Sequence, residues 1–304
     1  MTITHNAPMI ETQPQPTVLA RFLRNPILVA EARHQWYIIE KSRSGRGWIA
    51  LAVLMLLPAL LASLIYFVGG LLGWKALPAF PSVGQSALET GLAVAMLLML
   101  VMNISLYVVV ILITLGLSAN SISREKTGRT WETLVLTNID AGRVVLGKWW
   151  ASLQALWGDH VMIFLLRLGL VAWLVLALNS AANWPLAPAP FGLSPNLGYI
   201  PPLVAIMAAY TFLDATFTAA MGVGLSLSNW SGVTIATFAL TTRLILFALS
   251  GLWFVQMFAV LRAHGGFSYV PLALGGLALF ALATWLMLRL GYGLAVRGEV
   301  SPAG

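Results

Sequence analysis

Residues Ser121 to Trp150, SISREKTGRTWETLVLTNIDAGRVVLGKWW, decide how this chain is read. The stretch holds Arg124, Glu125, Lys126, Arg129, Glu132, Asp140, Arg143 and Lys148, eight of the 27 charged side chains in 304 residues. Long apolar runs lie on both sides of it. A charged island between apolar spans has the form of a loop on the cytoplasmic side of a membrane.

The composition agrees with that setting. Charged residues make up 9% of the chain and hydrophobic residues 59%, with a mean hydropathy of +0.87, whereas about a quarter of a soluble domain is charged. Apolar runs of the roughly 20 residues needed to cross a hydrocarbon core of about 30 Å recur along the whole length. Alternating segments of about 10 residues, the pattern of a membrane barrel, do not occur. The expected fold class is therefore an all-α polytopic membrane protein.

Six spans are expected, at about 48–72, 91–117, 153–178, 203–227, 233–261 and 270–294, together forming a transmembrane domain over 48–296. Residues 1–20 read as a polar, mobile tail with no cleavable signal, and 297–304 as a short second tail. Between them, Asn25 fits an N-cap and Pro26 a first helical residue, so a helix begins there within an amphipathic segment, 21–47. Ile27, Ala30, His34, Tyr37 and Ile38 make its apolar side, against Glu31, Arg33, Gln35, Glu40 and Lys41. With Trp36 and Tyr37 as interfacial aromatics, it suits the membrane surface; an ordinary cytoplasmic helix is the alternative.

Orientation follows from the basic residues. Arg21, Arg24, Arg33, Lys41, Arg43 and Arg46 precede the first span, the island adds Arg124, Lys126, Arg129, Arg143 and Lys148, and Arg297 follows the last span. The other side has only Lys75 and Arg262. Lys and Arg near span ends favour the cytoplasm, so both termini are expected there. The same job accounts for the net charge of +7 without nucleic acid.

Within the island, Trp131, Leu134 and Val135 fall at helical spacing, and Asp140 can cap a second helix from Ala141 that leads into span three. Two short helices with a bend form a knob that another protein can grip. The island also resembles the loop of type-2 ABC exporter permeases, Glu-Arg-Glu-x-Gly-Thr-(Leu or Trp)-Glu-x-Leu-Leu-x-Thr-Pro-(Leu or Ile)-Ser followed by Gly-Lys. Here it runs from Glu125 through Thr130, Trp131, Glu132, Leu134, Leu136 and Thr137 to Asp140, then Gly147 and Lys148. Arg129 stands where that family usually has Gly, and Asn138 where it has Pro. Asn25-Pro26 with Glu31 and Arg33 is similar to the opening of the family's interfacial helix, and Gly224 to Ser231 to its turn after span four.

The resemblance implies a permease subunit of an ABC exporter in the bacterial or archaeal plasma membrane. Glu125, Arg129, Thr130, Trp131, Glu132, Leu134 and Leu136 would form a cytoplasmic coupling helix between spans two and three, docked on a separate nucleotide-binding subunit. That partner would hold ATP and Mg, and a second permease half, identical or homologous, would complete the assembly with membrane lipid around it. No cofactor is expected in this chain, and no enzymatic activity. The alternatives are a secondary transporter, for which no inverted repeat is visible, and a membrane scaffold or assembly factor without ATP coupling.

Gly142 to Trp149 nearly spells a phosphate-binding loop, but Trp149 replaces the hydroxyl that would hold magnesium. Cys is absent and four His are scattered, so neither a disulfide nor a Cys- or His-based metal site is expected. Arg167, Asp214 and Arg243 fall inside spans, where charges are costly; they either pair between helices or line a substrate path. Asp159 and His160 are expected near the cytoplasmic surface. Thr216, Ala220, Gly224 and Ser228 form a stripe of small residues suited to close helix packing, within the subunit or between subunits.

Overall fold

The computed structural model describes residues 25–42, 57, 61, 64, 87–128, 140–180, 200–228, 230–264 and 267–300. Seven helices account for nearly all of them, and no strand occurs among the described residues. They are α1 (Pro26–Ser42), α2 (Ala87–Thr127), α3 (Ala141–Ala155), α4 (Trp157–Ser180), α5 (Ile200–Ser226), α6 (Gly232–His264) and α7 (Val270–Val300). The first expected span, 48–72, and the island residues 129–139 lie outside the described residues, apart from helical positions at Leu57, Leu61 and Leu64.

Local chemistry sets the helix ends. The Asn25 side-chain oxygen accepts from Ile27 N at 3.1 Å and Pro26, which has no N–H to satisfy, opens α1. Ser231 caps α6 in the same way, accepting from Thr234 N at 3.2 Å. Asp140 precedes α3 as expected but makes no side-chain cap bond; its carbonyl accepts from Arg143 N at 2.8 Å instead. The helix expected to enter the membrane from Leu153 is divided: α3 ends at Ala155, Leu156 leaves helical geometry (φ −108°, ψ 16°), and α4 begins at Trp157. Gly158, a poor helix former, and Asp159, which favours a first turn, explain a restart at this point. At the other end of span two, α2 runs ten residues past the expected Leu117, so Ser121 to Thr127 of the island are its last two turns.

Among the described residues, four helices contain stretches long and apolar enough to cross a membrane: Leu97–Lys126, Pro201–Ser226, Val233–Leu261 and Val270–Arg297. Their outward faces carry Leu244, Val255 and Leu279 at 73%, 63% and 67% exposure, an apolar surface that water would penalise and lipid does not. The chain is a multi-pass membrane protein.

Helix α5 is the centre of the bundle. Of its most apolar stretch 61% is buried inside the molecule, against 17% for α6 and 11% for α7. It packs against α2, α3, α4, α6 and α7. The small-residue stripe lets this happen: a side chain at Gly224 would meet the Met287 carbonyl oxygen at 3.1 Å, and Gly291 lies against Gly224 itself. Without an apolar driving force inside lipid, such close backbone approach supplies the dispersion contact that holds helices together. Around the crossing, Tyr107, Val110, Leu115, Ile163, Phe217, Met221 and Leu225 form a core shared by α2, α4 and α5.

Candidate functional site

Three stretches far apart in sequence meet at one end of the bundle. Lys148, on the face of α3 that looks inward, is wholly buried. Its ammonium donates to Glu125 Oε1 at 2.6 Å, to Ser121 O at 2.8 Å and to Glu31 Oε2 at 3.1 Å. Three donors meet three acceptors, so the group is saturated. Arg124 donates to the same Glu31 Oε2 at 3.1 Å from the more exposed side. Two carboxylates and two cations therefore balance in a low-dielectric setting where a lone charge would be costly.

The cluster extends along α1. Gln35 Nε2 donates to Glu31 Oε1 at 3.0 Å and to Ser152 Oγ at 3.1 Å, and Ser152 Oγ donates to Lys148 O at 3.0 Å. Asn25 Nδ2 donates to Arg143 O at 2.8 Å. Asn25 thus caps its own helix with one atom and ties down α3 with another. Gly147 is the point of closest approach: a Cβ there would sit 2.9 Å from Asn25 Nδ2 and 3.2 Å from the Leu28 backbone nitrogen. Gly147→Val is expected to force α1 off α3, costing about 1–3 kcal/mol as overpacking and exposing the Pro26–Ser42 segment to limited proteolysis, read by mass spectrometry.

This geometry corrects the placing of Glu31 and Gln35 on the polar side of α1. The face turned inward carries Leu28, Glu31, Gln35 and Ile39, while Trp36, Tyr37 and Ile38 are exposed, as are Ala30, Arg33 and His34. Glu31 and Gln35 turn inward because their partner face presents a buried lysine and a serine. The near phosphate-binding motif is likewise explained: Gly147 and Lys148 lie mid-helix in α3, the lysine held by carboxylates. Trp149 donates its indole N–H to Thr216 O of α5 at 2.9 Å, carrying the contact from α3 to the central helix.

A second polar cluster lies inside the bundle. Arg243 of α6 donates to Asp214 Oδ1 of α5 at 2.7 Å and to the Tyr107 hydroxyl of α2 at 2.8 Å. All three are buried. The Nε and Nη1 atoms of Arg243 have no hydrogen-bond partner among the described residues; the guanidinium instead lies 5.8 Å from the Phe217 ring and 6.0 Å from that of Tyr107. Arg167 of α4 donates to Thr211 Oγ1 at 2.8 Å and sits 5.0 Å from the rings of both Tyr107 and Tyr210, a cation–π arrangement that gains strength where water is excluded. Asp214 is thus hydrogen-bonded to Arg243, and Arg167 finds a hydroxyl and two rings. His160, expected near the surface, is buried.

Of the sequence-selected residues, Glu31 and Glu125 come together around Lys148, Asn25 ties the start of α1 to α3 with Pro26 exposed beside it, and Arg167, Asp214 and Arg243 gather within the helices. Arg33 faces away from the cluster. Arg129, Thr130, Trp131, Glu132, Leu134 and Leu136 lie outside the described residues. The residues that sequence reasoning passed over are Lys148, Gln35 and Ser152. A lysine followed four residues later by a serine, on the face of α3 bearing Val144, Val145 and Ala151, is the signal for a polar group turned inward. Among the described residues, no three His, Cys, Asp or Glu side chains are grouped to hold a metal. Comparison with known proteins returns no match: no family model fits the chain, and neither a curated protein nor a solved structure is significantly similar to it.

Proposed function

We propose that this chain is the permease subunit of an ABC exporter in the plasma membrane, driven by ATP hydrolysis on a separate subunit. One observation carries the reading. The segments that resemble the type-2 permeases, Asn25 to Arg33, Glu125 and Gly147-Lys148, are widely separated in sequence, yet Glu31, Glu125 and Lys148 close into one buried ionic cluster. Chance resemblance in separate stretches gives no reason for them to interlock.

In this proposal six helices cross the membrane with both termini cytoplasmic, and α1 lies along the cytoplasmic interface with Trp36 and Tyr37 turned to the headgroups. The coupling helix falls in the segment from Glu125 to Leu136. Arg129, Thr130, Trp131, Glu132, Leu134 and Leu136 contact the nucleotide-binding partner, which binds ATP and Mg, and a second permease half completes the path. The cluster at Lys148 ties the end of α2, the interfacial helix and α3 into one unit. A push delivered to the coupling helix then reaches the spans instead of being lost in a flexible loop.

The test is co-purification. The tagged chain is extracted in mild detergent, and the eluate is assayed for a bound ATPase, in parallel with the Trp131→Ala/Glu132→Ala double variant. The expected result is a P-loop ATPase that accompanies the wild type and is lost from the variant while the variant still elutes as a monodisperse membrane protein. Elution of the wild-type chain without any ATPase, across several detergents, would sink the permease reading and favour a scaffold or a secondary transporter.

A further inference from the structure

A cavity of about 370 Å³ opens between α2, α5 and α6 at the same end of the bundle as α1. That size falls in the roughly 300–1,000 Å³ range of small-molecule sites. Its walls change character with depth. At the mouth stand Asn120, Ser123, Lys126, Ser226, Ser228 and Trp230; further in, Leu112, Leu115, Ala239 and Leu240 line it with apolar surface. Among the described residues, no carboxylate lines it.

The mouth sits at the membrane boundary. The apolar stretch of α2 ends at Lys126, that of α5 ends at Ser226, and that of α6 begins at Val233. Trp230, 48% exposed beside these ends, stacks edge-on against Phe238, the position of an indole anchored among headgroups. From Lys126 to Leu112 the helix rises about 21 Å, enough to cross one leaflet's share, about 15 Å, of the hydrocarbon core. Among the described residues Lys126 faces no carboxylate: its ammonium donates to the Ser226, Leu227 and Ser228 carbonyl oxygens at 3.3, 3.1 and 3.5 Å. Those bonds hold the charge in place over the mouth without neutralising it.

We propose that this cleft binds an anionic phospholipid from the leaflet on the α1 side, its headgroup beside Lys126 and one acyl chain descending between α2 and α6. The wall of small residues, Gly116, Ala119 and Gly222, leaves the room that the chain occupies. Its second chain stays in the bilayer, because α6 presents an exposed apolar face there. The proposal does not depend on the permease reading, since it concerns binding and needs no ATPase.

The test is native mass spectrometry of the delipidated chain titrated with phosphatidylglycerol, and separately with phosphatidylcholine bearing the same acyl chains. The wild type is expected to bind phosphatidylglycerol more tightly. Lys126→Gln, which keeps a donor for the α5 carbonyls and removes the charge, is expected to weaken that binding about five-fold, the effect of one basic residue at an anionic headgroup, and to leave phosphatidylcholine unchanged. Ala236→Trp, which fills the cleft from α6, is expected to remove the binding of both lipids. Leu252→Trp, on the exposed face of the same helix, is expected to have no effect. Equal affinity of the wild type for both lipids, undiminished phosphatidylglycerol binding by Lys126→Gln, or full binding by Ala236→Trp would each overturn the proposal.

Discussion

Replacing Lys148 with methionine is expected to destabilise the chain by about 3–5 kcal/mol, the range for breaking a buried ionic contact from one side. Methionine matches the lysine stem in volume, so packing is nearly preserved and the loss isolates the ammonium. Three acceptors lose the Lys148 donor at once: Glu31, Glu125 and the Ser121 carbonyl. Among the described residues, Arg124, 45% exposed, then remains as the cation paired with Glu31. The decisive comparison is with the double variant Glu125→Gln/Lys148→Met, in which Glu31 and Arg124 remain paired and the charges again balance. It is expected to be more stable than Lys148→Met alone, as measured by the midpoint of unfolding in a denaturing detergent titration. If the double variant is as unstable as the sum of its parts, the cluster is held by shape and not by charge.

The second large effect is expected at Asp214. Two guanidiniums and one carboxylate give the inner cluster a net positive charge. Asp214→Asn keeps the shape, removes the carboxylate that pairs with Arg243, and leaves two guanidiniums with no negative charge beside them among the described residues; the cost is about 3–5 kcal/mol. Arg243→Met removes a cation from a site that holds one too many, so it is expected to cost less, even though it also takes the donor from the Tyr107 hydroxyl. Ordering the two single variants and their double by heat survival in mild detergent reads this directly. A greater loss for Arg243→Met than for Asp214→Asn would mean that helix tethering outweighs charge balance. Helix α6 would respond first, because most of its surface faces outward.

The legible part of this fold was the part encoded locally. Apolar length marked the membrane helices, and Asn25-Pro26 and Asp140-Ala141 marked helix starts to the residue. What a side chain meets across helices is not local, and there the sequence misled. Glu31 and Gln35 read as the polar, outward side of α1 because charged and amide groups usually stay in water; they turn inward because the opposing face of α3 presents a buried lysine and a serine. Lys148 counted as one more cytoplasmic cation, although it is buried against two carboxylates. Asp214 and Arg243, 29 positions apart, were visible as costly charges, but nothing in their spacing chose Arg243 over Arg167. The break at Leu156 was blurred by apolar residues on both sides of it. The amphipathic cleft at Lys126 draws its walls from three helices and has no linear trace.

One geometric property of α2 binds the two polar clusters into a common mechanical fate. Tyr107, which receives Arg243, and Glu125, which receives Lys148, are separated by about five whole turns, so both side chains leave the helix at the same azimuth, roughly 27 Å apart along its axis. A twist of this shaft would therefore rotate both contacts in phase, with the same sense and the same angle. Torque applied at the Glu31 end would be felt as strain on the Arg243 hydroxyl bond, with no loop between them to absorb it.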